Sequence, residues 1–155
     1  DEIKGNIQEL KLIQGGDKPV VKLFEGPEAF KAIQEDVLKS KIDLMCEFGN
    51  DDDIEMLYPD RGKNHSYYDK MDKKKMKRRI VFVVSKSREN KRNSKVKFLV
   101  KGKDYKGKEF HGDVFCYNDK VWLSSFKGKQ MSVMIENKEI KETIQALFEV
   151  VWNKL

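Results

Sequence analysis

FEGPEAFKAIQEDVLKSK, residues 24–41, is the stretch on which the reading of the fold turns. An apolar run (Val20, Val21, Leu23, Phe24) leads into Gly26-Pro27, and a helical pattern follows. Pro27 stands where a first helical residue belongs, because the N–H it lacks would have no partner there. Phe30, Ile33, Val37 and Leu38 fall at i, i+3, i+7 and i+8, one apolar stripe. Lys39 and Lys41 lie at the end where cations suit the helix dipole. Residues 42–48 form a second apolar run, so strand, helix and strand succeed one another. That order predicts a βαβ unit and a parallel pair of strands. A single glycine cannot supply a nest of backbone donors, so Gly26-Pro27 reads as a hinge and not as a phosphate cradle.

The chain of 155 residues has room for one domain or one domain with a short appendage. Hydrophobic residues at 39% and aromatics at 10% suffice for a packed core, which sets wholesale disorder aside. The longest apolar run, residues 80–84, is far too short to span a bilayer. No apolar N-terminal segment has the form of a signal peptide, so the expected compartment is the cytoplasm, with no membrane partner. The chain opens at Asp1 without a methionine, as a processed chain or an excised piece would. Cys46 and Cys116 have no CxxC spacing; they could pair, but a reducing compartment makes two free thiols, each in a strand, the expectation. His65 and His111 stand at no metal-ligand spacing from a cysteine, so neither a metal nor a cofactor is expected.

Along the chain, Ile3, Ile7 and Leu10 recur at helical spacing over residues 2–12, ended by Gly15-Gly16. Spacing alone leaves open a terminal helix packing on its own domain or the tail of a longer one. Residues 49–63, with Asp51-Asp52-Asp53, Pro59 and Gly62, read as an acidic loop with a helical turn near residues 54–57. Residues 65–78 read as a helix whose thin apolar stripe (Tyr67, Met71, Met76) predicts exposure. Residues 79–84 form a third strand, continuous in its apolar run as buried parallel strands are. The strands that follow, at 96–100, 110–117, 120–126 and 131–135, read as antiparallel, with Asn118-Asp119 as a two-residue turn. Asn137 caps a closing amphipathic helix lined by Ile140, Ile144, Leu147, Phe148, Val151 and Leu155. The fold class is α/β: a mixed sheet with a βαβ N-terminal half, antiparallel C-terminal strands and a C-terminal amphipathic helix.

Charge is concentrated. Residues 61–108 hold nineteen Lys/Arg against four Asp/Glu, while the whole chain is only +6. Lys73, Lys74, Lys75, Lys77, Arg78, Arg88, Lys91 and Arg92 are the residues that would meet phosphates if this block bound nucleic acid. Charge runs on exposed helices more often serve solubility. No Walker loop, no G-x-G-x-x-G and no G-x-S-x-G is present. His65-Ser66-Tyr67 and His111-Gly112-Asp113 both lack the lysine of a His-x-Lys phosphodiesterase motif. Asp51-Asp52-Asp53 points its side chains in different directions, unsuited to one cation. Nothing assembles a nucleophile, a base and an orienting group, so no enzymatic activity is expected. Polar residues near strand ends are the ligand candidates: Glu25, Glu47, Arg79, His111 and Asp113.

VKLFEGPEAFKAIQEDVLKSK, CYNDKVWLSS and MSVMIENKEIKETIQALFEVVWNKL, in this order and spacing, resemble the C-terminal effector domain of TrmB-type transcriptional regulators. The resemblance runs from about Pro19 to Trp152. It implies a phospholipase D-like fold without the catalytic His-x-Lys motifs. It also implies a regulatory, effector-sensing role, a homodimer, a small-molecule effector and DNA read through a separate helix-turn-helix. Residues 1–16 would then be the end of a linker and dimerisation helix, and 17–155 the effector domain. The alternative is a nucleic-acid-binding module using residues 61–108.

Overall fold

The computed structural model describes residues 18–88 and 95–155. The segment read as a linker helix, and Lys91 and Arg92, lie outside these residues. The first half of the fold comprises β1 (Val20–Glu25), α1 (Pro27–Lys39), β2 (Leu44–Asn50), α2 (Asp51–Leu57), α3 (Tyr67–Lys73) and β3 (Lys77–Val84). The second comprises β4 (Lys95–Val100), β5 (Gly112–Tyr117), β6 (Lys120–Ser125), β7 (Met131–Glu136) and α4 (Lys138–Lys154). Among the described residues the strands make one mixed sheet in the order β1-β7-β6-β5-β2-β3-β4.

The expected parallel pair is corrected. β1 pairs antiparallel with β7, Val20 facing Glu136. Three strands separate β1 from β2, which instead runs parallel to β3. β1 and β2 do point the same way, but α1 carries the chain across β7, β6 and β5 between them. Local periodicity specifies a strand; it does not specify which neighbour completes its hydrogen-bond ladder. The edge position suits β1, whose Val20, Val21 and Leu23 are each about half exposed. A second correction concerns β4, which is parallel to β3 and not antiparallel. Its alternation of lysine and apolar residues comes from lying at the opposite edge with one face packed.

Packing is in layers. On one face Ala29, Ile33 and Val37 of α1 and Met71 of α3 cover Met45, Phe115, Tyr117 and Trp122. On the other face α4 lays Ile144, Phe148 and Val151 over Cys46, Val81, Cys116 and Val121. Burying side chains of this size stabilises by about 1.5–3 kcal/mol each. Alternation along β2 serves both layers at once: Met45 and Glu47 face α1, Cys46 and Phe48 face α4.

In the segment read as an acidic loop with a helical turn near residues 54–57, the helix begins earlier, as α2, whose first three residues are Asp51, Asp52 and Asp53. Asn50 caps it, its Oδ1 accepting from the N–H of Asp52 at 3.1 Å and of Asp53 at 3.3 Å. Three carboxylates in a first turn are favoured by the helix dipole. The helix over residues 65–78 shortens to α3, and its apolar face is buried, with Met71 2% exposed. The Asn118-Asp119 turn joins β5 to β6 as expected, Asn118 taking a φ of 50°. Gly26, at φ 58°, has no atom near the position of a Cβ, so the hinge needs glycine for its backbone angle alone. No described helix is long and apolar enough to cross a membrane.

Candidate functional site

Between one face of the sheet, at β2, β5 and β6, and the helices α1, α2 and α3 lies a small cavity. Glu47 of β2 and Asp113 of β5 line it, with Tyr58, Tyr67 and Tyr68 around them and Phe30 and Phe126 closing the sides. Its volume is about 30 Å³, room for roughly two water molecules. Two glycines make the close approach. A Cβ on Gly49 would stand 2.7 Å from the Cβ of Asp113, and one on Gly112 would collide with the carbonyl of Ser124. Glycine at both places lets β2, β5 and β6 bring Glu47 and Asp113 into one enclosure.

Glu47 is 8% exposed, and no hydrogen bond contributes to its charge state. Burial, then the Asp113 charge, push its carboxyl up to about 8, against the pull of Arg78. Burial pushes Asp113 up to about 7, opposed by a hydrogen bond from Ser124. Asp113 Oδ1 is fully enclosed and has no partner among the described residues. The pair therefore holds a proton near neutrality, as close carboxyls in a poorly solvated site do. Burial also raises Tyr58, Tyr67 and Tyr68, so all three remain hydroxyl donors.

Around the rim runs an ion network. Asp51, 1% exposed, accepts from Arg61 Nη2 at 3.1 Å and from Arg88 Nη1 at 2.9 Å. Asp52 accepts from Arg88 Nη2 at 2.9 Å, Lys101 Nζ at 3.3 Å and Ser85 Oγ at 2.6 Å. Burial would raise Asp52, but the bonds from Ser85 and Lys101 carry it below the ordinary carboxylate range. His111 Nδ1 lies 3.0 Å from Asp53 Oδ2. Asn50, buried between, donates to the Phe110 carbonyl at 2.7 Å.

Of the five ligand candidates, Glu47 and Asp113 meet in the cavity and His111 stands beside it on α2's aspartates. Arg79 is on the opposite face of the sheet, 3.1 Å from Glu149 and over the Trp152 ring. It faces that way because its neighbour Arg78 takes the cavity side, where it is 4% exposed and bound to Asp72. Glu25 closes the edge strand β1, four strands from Glu47, and pairs with Lys129. The basic block is also redistributed. Arg78 is buried, Arg88 is tied to Asp51, Asp52 and Glu55, and Lys73 bonds Asp69 at 2.7 Å. Lys74 donates to the Leu38 carbonyl, while Lys75 and Lys77 are exposed. The tyrosines were not legible as a site, because Tyr58, Tyr67 and Tyr68 converge only when α2 and α3 pack. An i, i+1 tyrosine pair at a helix start was the one available signal.

No protein-family model matches the chain, and no curated protein does. Solved structures do. NucT from Helicobacter pylori superposes with a TM-score of 0.59 at 13% identity, over 88% of this chain and 97% of that one. TrmBL2, described as an archaeal chromatin protein that shows a novel mode of DNA binding, superposes at 0.55 and 12%. That match covers 99% of this chain, which spans 60% of TrmBL2. Nuc from Salmonella typhimurium, a phospholipase D family member, gives 0.47 at 14% over 88% and 95%. The chain thus shares the fold of NucT and TrmBL2, in keeping with the TrmB-type resemblance of its sequence motifs. The expectation that it is not an enzyme is corrected by the likeness to NucT. Missing motifs had carried that expectation, and the shared fold removes its force.

Proposed function

We propose that this chain is the effector-sensing domain of a TrmB-like regulator, cytoplasmic and homodimeric, with DNA read by a separate helix-turn-helix. Its effector occupies the cavity of Glu47 and Asp113. The observation that carries this reading is the enclosed pair of carboxyls from the neighbouring strands β2 and β5, with Asp113 Oδ1 left unbonded. A buried polar group left unbonded costs about 1–3 kcal/mol, so this oxygen weakens the fold unless something completes it. Two carboxyls among aromatic rings call for an uncharged or cationic ligand rich in donors, a polyol or an amine, and repel a phosphate. Binding would set the angle between α1, α2 and α3, a population shift that attached domains could feel.

The test is a thermal-shift screen of polyols and amines against the chain and its Glu47→Gln and Asp113→Asn variants. At a hundredfold excess over Kd, a ligand of the folded state adds about 2.7 kcal/mol, roughly 5–10 °C for this size. A shift present in the wild type and absent from both variants supports the reading. Shifts that persist in the variants, or a screen without any, oppose it.

A second reading, direct nucleic-acid binding, is favoured by one observation: the TrmBL2 match is to a DNA-binding protein. The exposed Lys73, Lys75 and Lys77 would then contact phosphate. Each phosphate contact steepens the salt dependence of affinity by nearly one logarithmic slope unit.

A further inference from the structure

Cys46 and Cys116, seventy residues apart in the chain, face each other across the β2–β5 ladder. Both are free thiols. Sequence spacing gave no sign of this, since the pairing is made by a strand order in which β5 lies beside β2. Both line a cavity of about 210 Å³ beneath α4, walled by Phe48 and Val114 of the sheet and Ile144, Leu147 and Val151 of the helix. The thiols themselves are 3% and 2% exposed, but Leu147 at the lip is 62% exposed. A small neutral molecule has a way in.

We infer that Cys46 and Cys116 form an oxidative modification site, converted by hydroperoxides into an intrachain disulfide that joins β2 to β5. Geometry permits the bond. Facing residues of antiparallel strands have Cα atoms about 4.5–5.5 Å apart, within the roughly 4.4–6.8 Å that disulfides span. Their Cβ atoms, about 4.5–5.5 Å apart, close by about 1 Å to reach the disulfide spacing. The apolar cavity gives the sulfurs room to turn and carries no competing nucleophile. Roles within the pair differ. The facing Cys46 thiol lowers the Cys116 thiol against its burial, helped by Lys141, while the facing Cys116 and burial raise Cys46. Cys116 is the attacking sulfur. Its thiolate takes one peroxide oxygen, giving a sulfenic acid and releasing one water once protonated. Cys46 sulfur then attacks the sulfenic sulfur; the hydroxide that leaves takes the Cys46 proton as a second water. The two sulfurs lose two electrons, and the peroxide gains them. The seam so closed is the one across which Glu47 and Asp113 face the cavity on the other side of the sheet.

The experiment exposes the reduced, native chain to hydrogen peroxide, then alkylates with iodoacetamide and maps the peptides. The expected result is loss of both alkylatable thiols, one peptide pair joined through Cys46 and Cys116, and full recovery on reduction. In guanidinium chloride the bond should form more slowly, because the ladder no longer holds the sulfurs together. Cys46→Ser should stop at a Cys116 sulfenic acid that dimedone traps. Two iodoacetamide adducts persisting after excess peroxide would overturn the inference. So would cross-links found only between chains, or an equal rate in denaturant. The wild-type map decides even where the serine variant does not fold.

Discussion

Glu47 and Asp113 sit where water cannot solvate them, and that sets a pH dependence with a definite sign. Both carboxyls titrate higher in the folded chain than in the unfolded one. Between about pH 4.5 and 8 the native state therefore binds more protons, and stability falls as pH rises. The contribution is whole below the unfolded values and is lost as pH climbs through about 7 and 8. Glu47→Gln keeps the shape and removes the charge. The variant is expected to melt higher than the wild type at pH 8 and to show no gain at pH 5, by calorimetry at both. Equal pH profiles for the two proteins would show that the pair is solvated after all.

Two caps hold the helices that matter most, and they differ in what else they do. Asn137 accepts from the N–H of Ile140 at 2.9 Å at the exposed start of α4. Asn50 caps α2 and also ties it to the Phe110 carbonyl, at a site 1% exposed. Asn137→Ala should cost about 1 kcal/mol, a cap alone. Asn50→Ala should cost about 2–4 kcal/mol, since a buried carbonyl is left unbonded as well. Urea unfolding of both variants checks the order; a larger loss at Asn137 would refute it. On the same α2 the aspartate carboxylates are engaged by Arg61, Arg88, Lys101, Ser85 and His111.

The strongly positive segment 61–108 is less positive in space than in sequence. Asp51, Asp52 and Glu55 fold against it and pair with Arg61, Arg88 and Lys101, while its own Asp69 and Asp72 pair with Lys73 and Arg78. Lys73, Lys74, Lys75 and Lys77 are among the charges that stay exposed. Changing Lys73, Lys74 and Lys75 to Glu tests whether this cluster binds nucleic acid. If it does, fluorescence polarisation with duplex DNA should show weaker binding and a salt slope shallower by about 2–3. An unchanged slope would leave the effector reading standing alone.

Strands, helices, caps and the hairpin turn were legible in order along the chain because each depends on neighbours within a few residues. Pro27 after Gly26, Asn137 before α4 and Asn118-Asp119 between β5 and β6 are local instructions. The α2 helix escaped because its three aspartates and short length resemble a loop, and its cap bonds are invisible until the chain turns at Asn50. Glu47, His111 and Asp113 could be nominated from strand ends, but nothing local told that Arg79 would face away from them. Strand order was decided only by packing. Placing β1 beside β7 and β5 beside β2 depends on which faces bury most area together, and no periodicity encodes it. From that order follow the carboxyl pair, the tyrosine cluster and the facing cysteines, each joining residues that lie far apart in the chain.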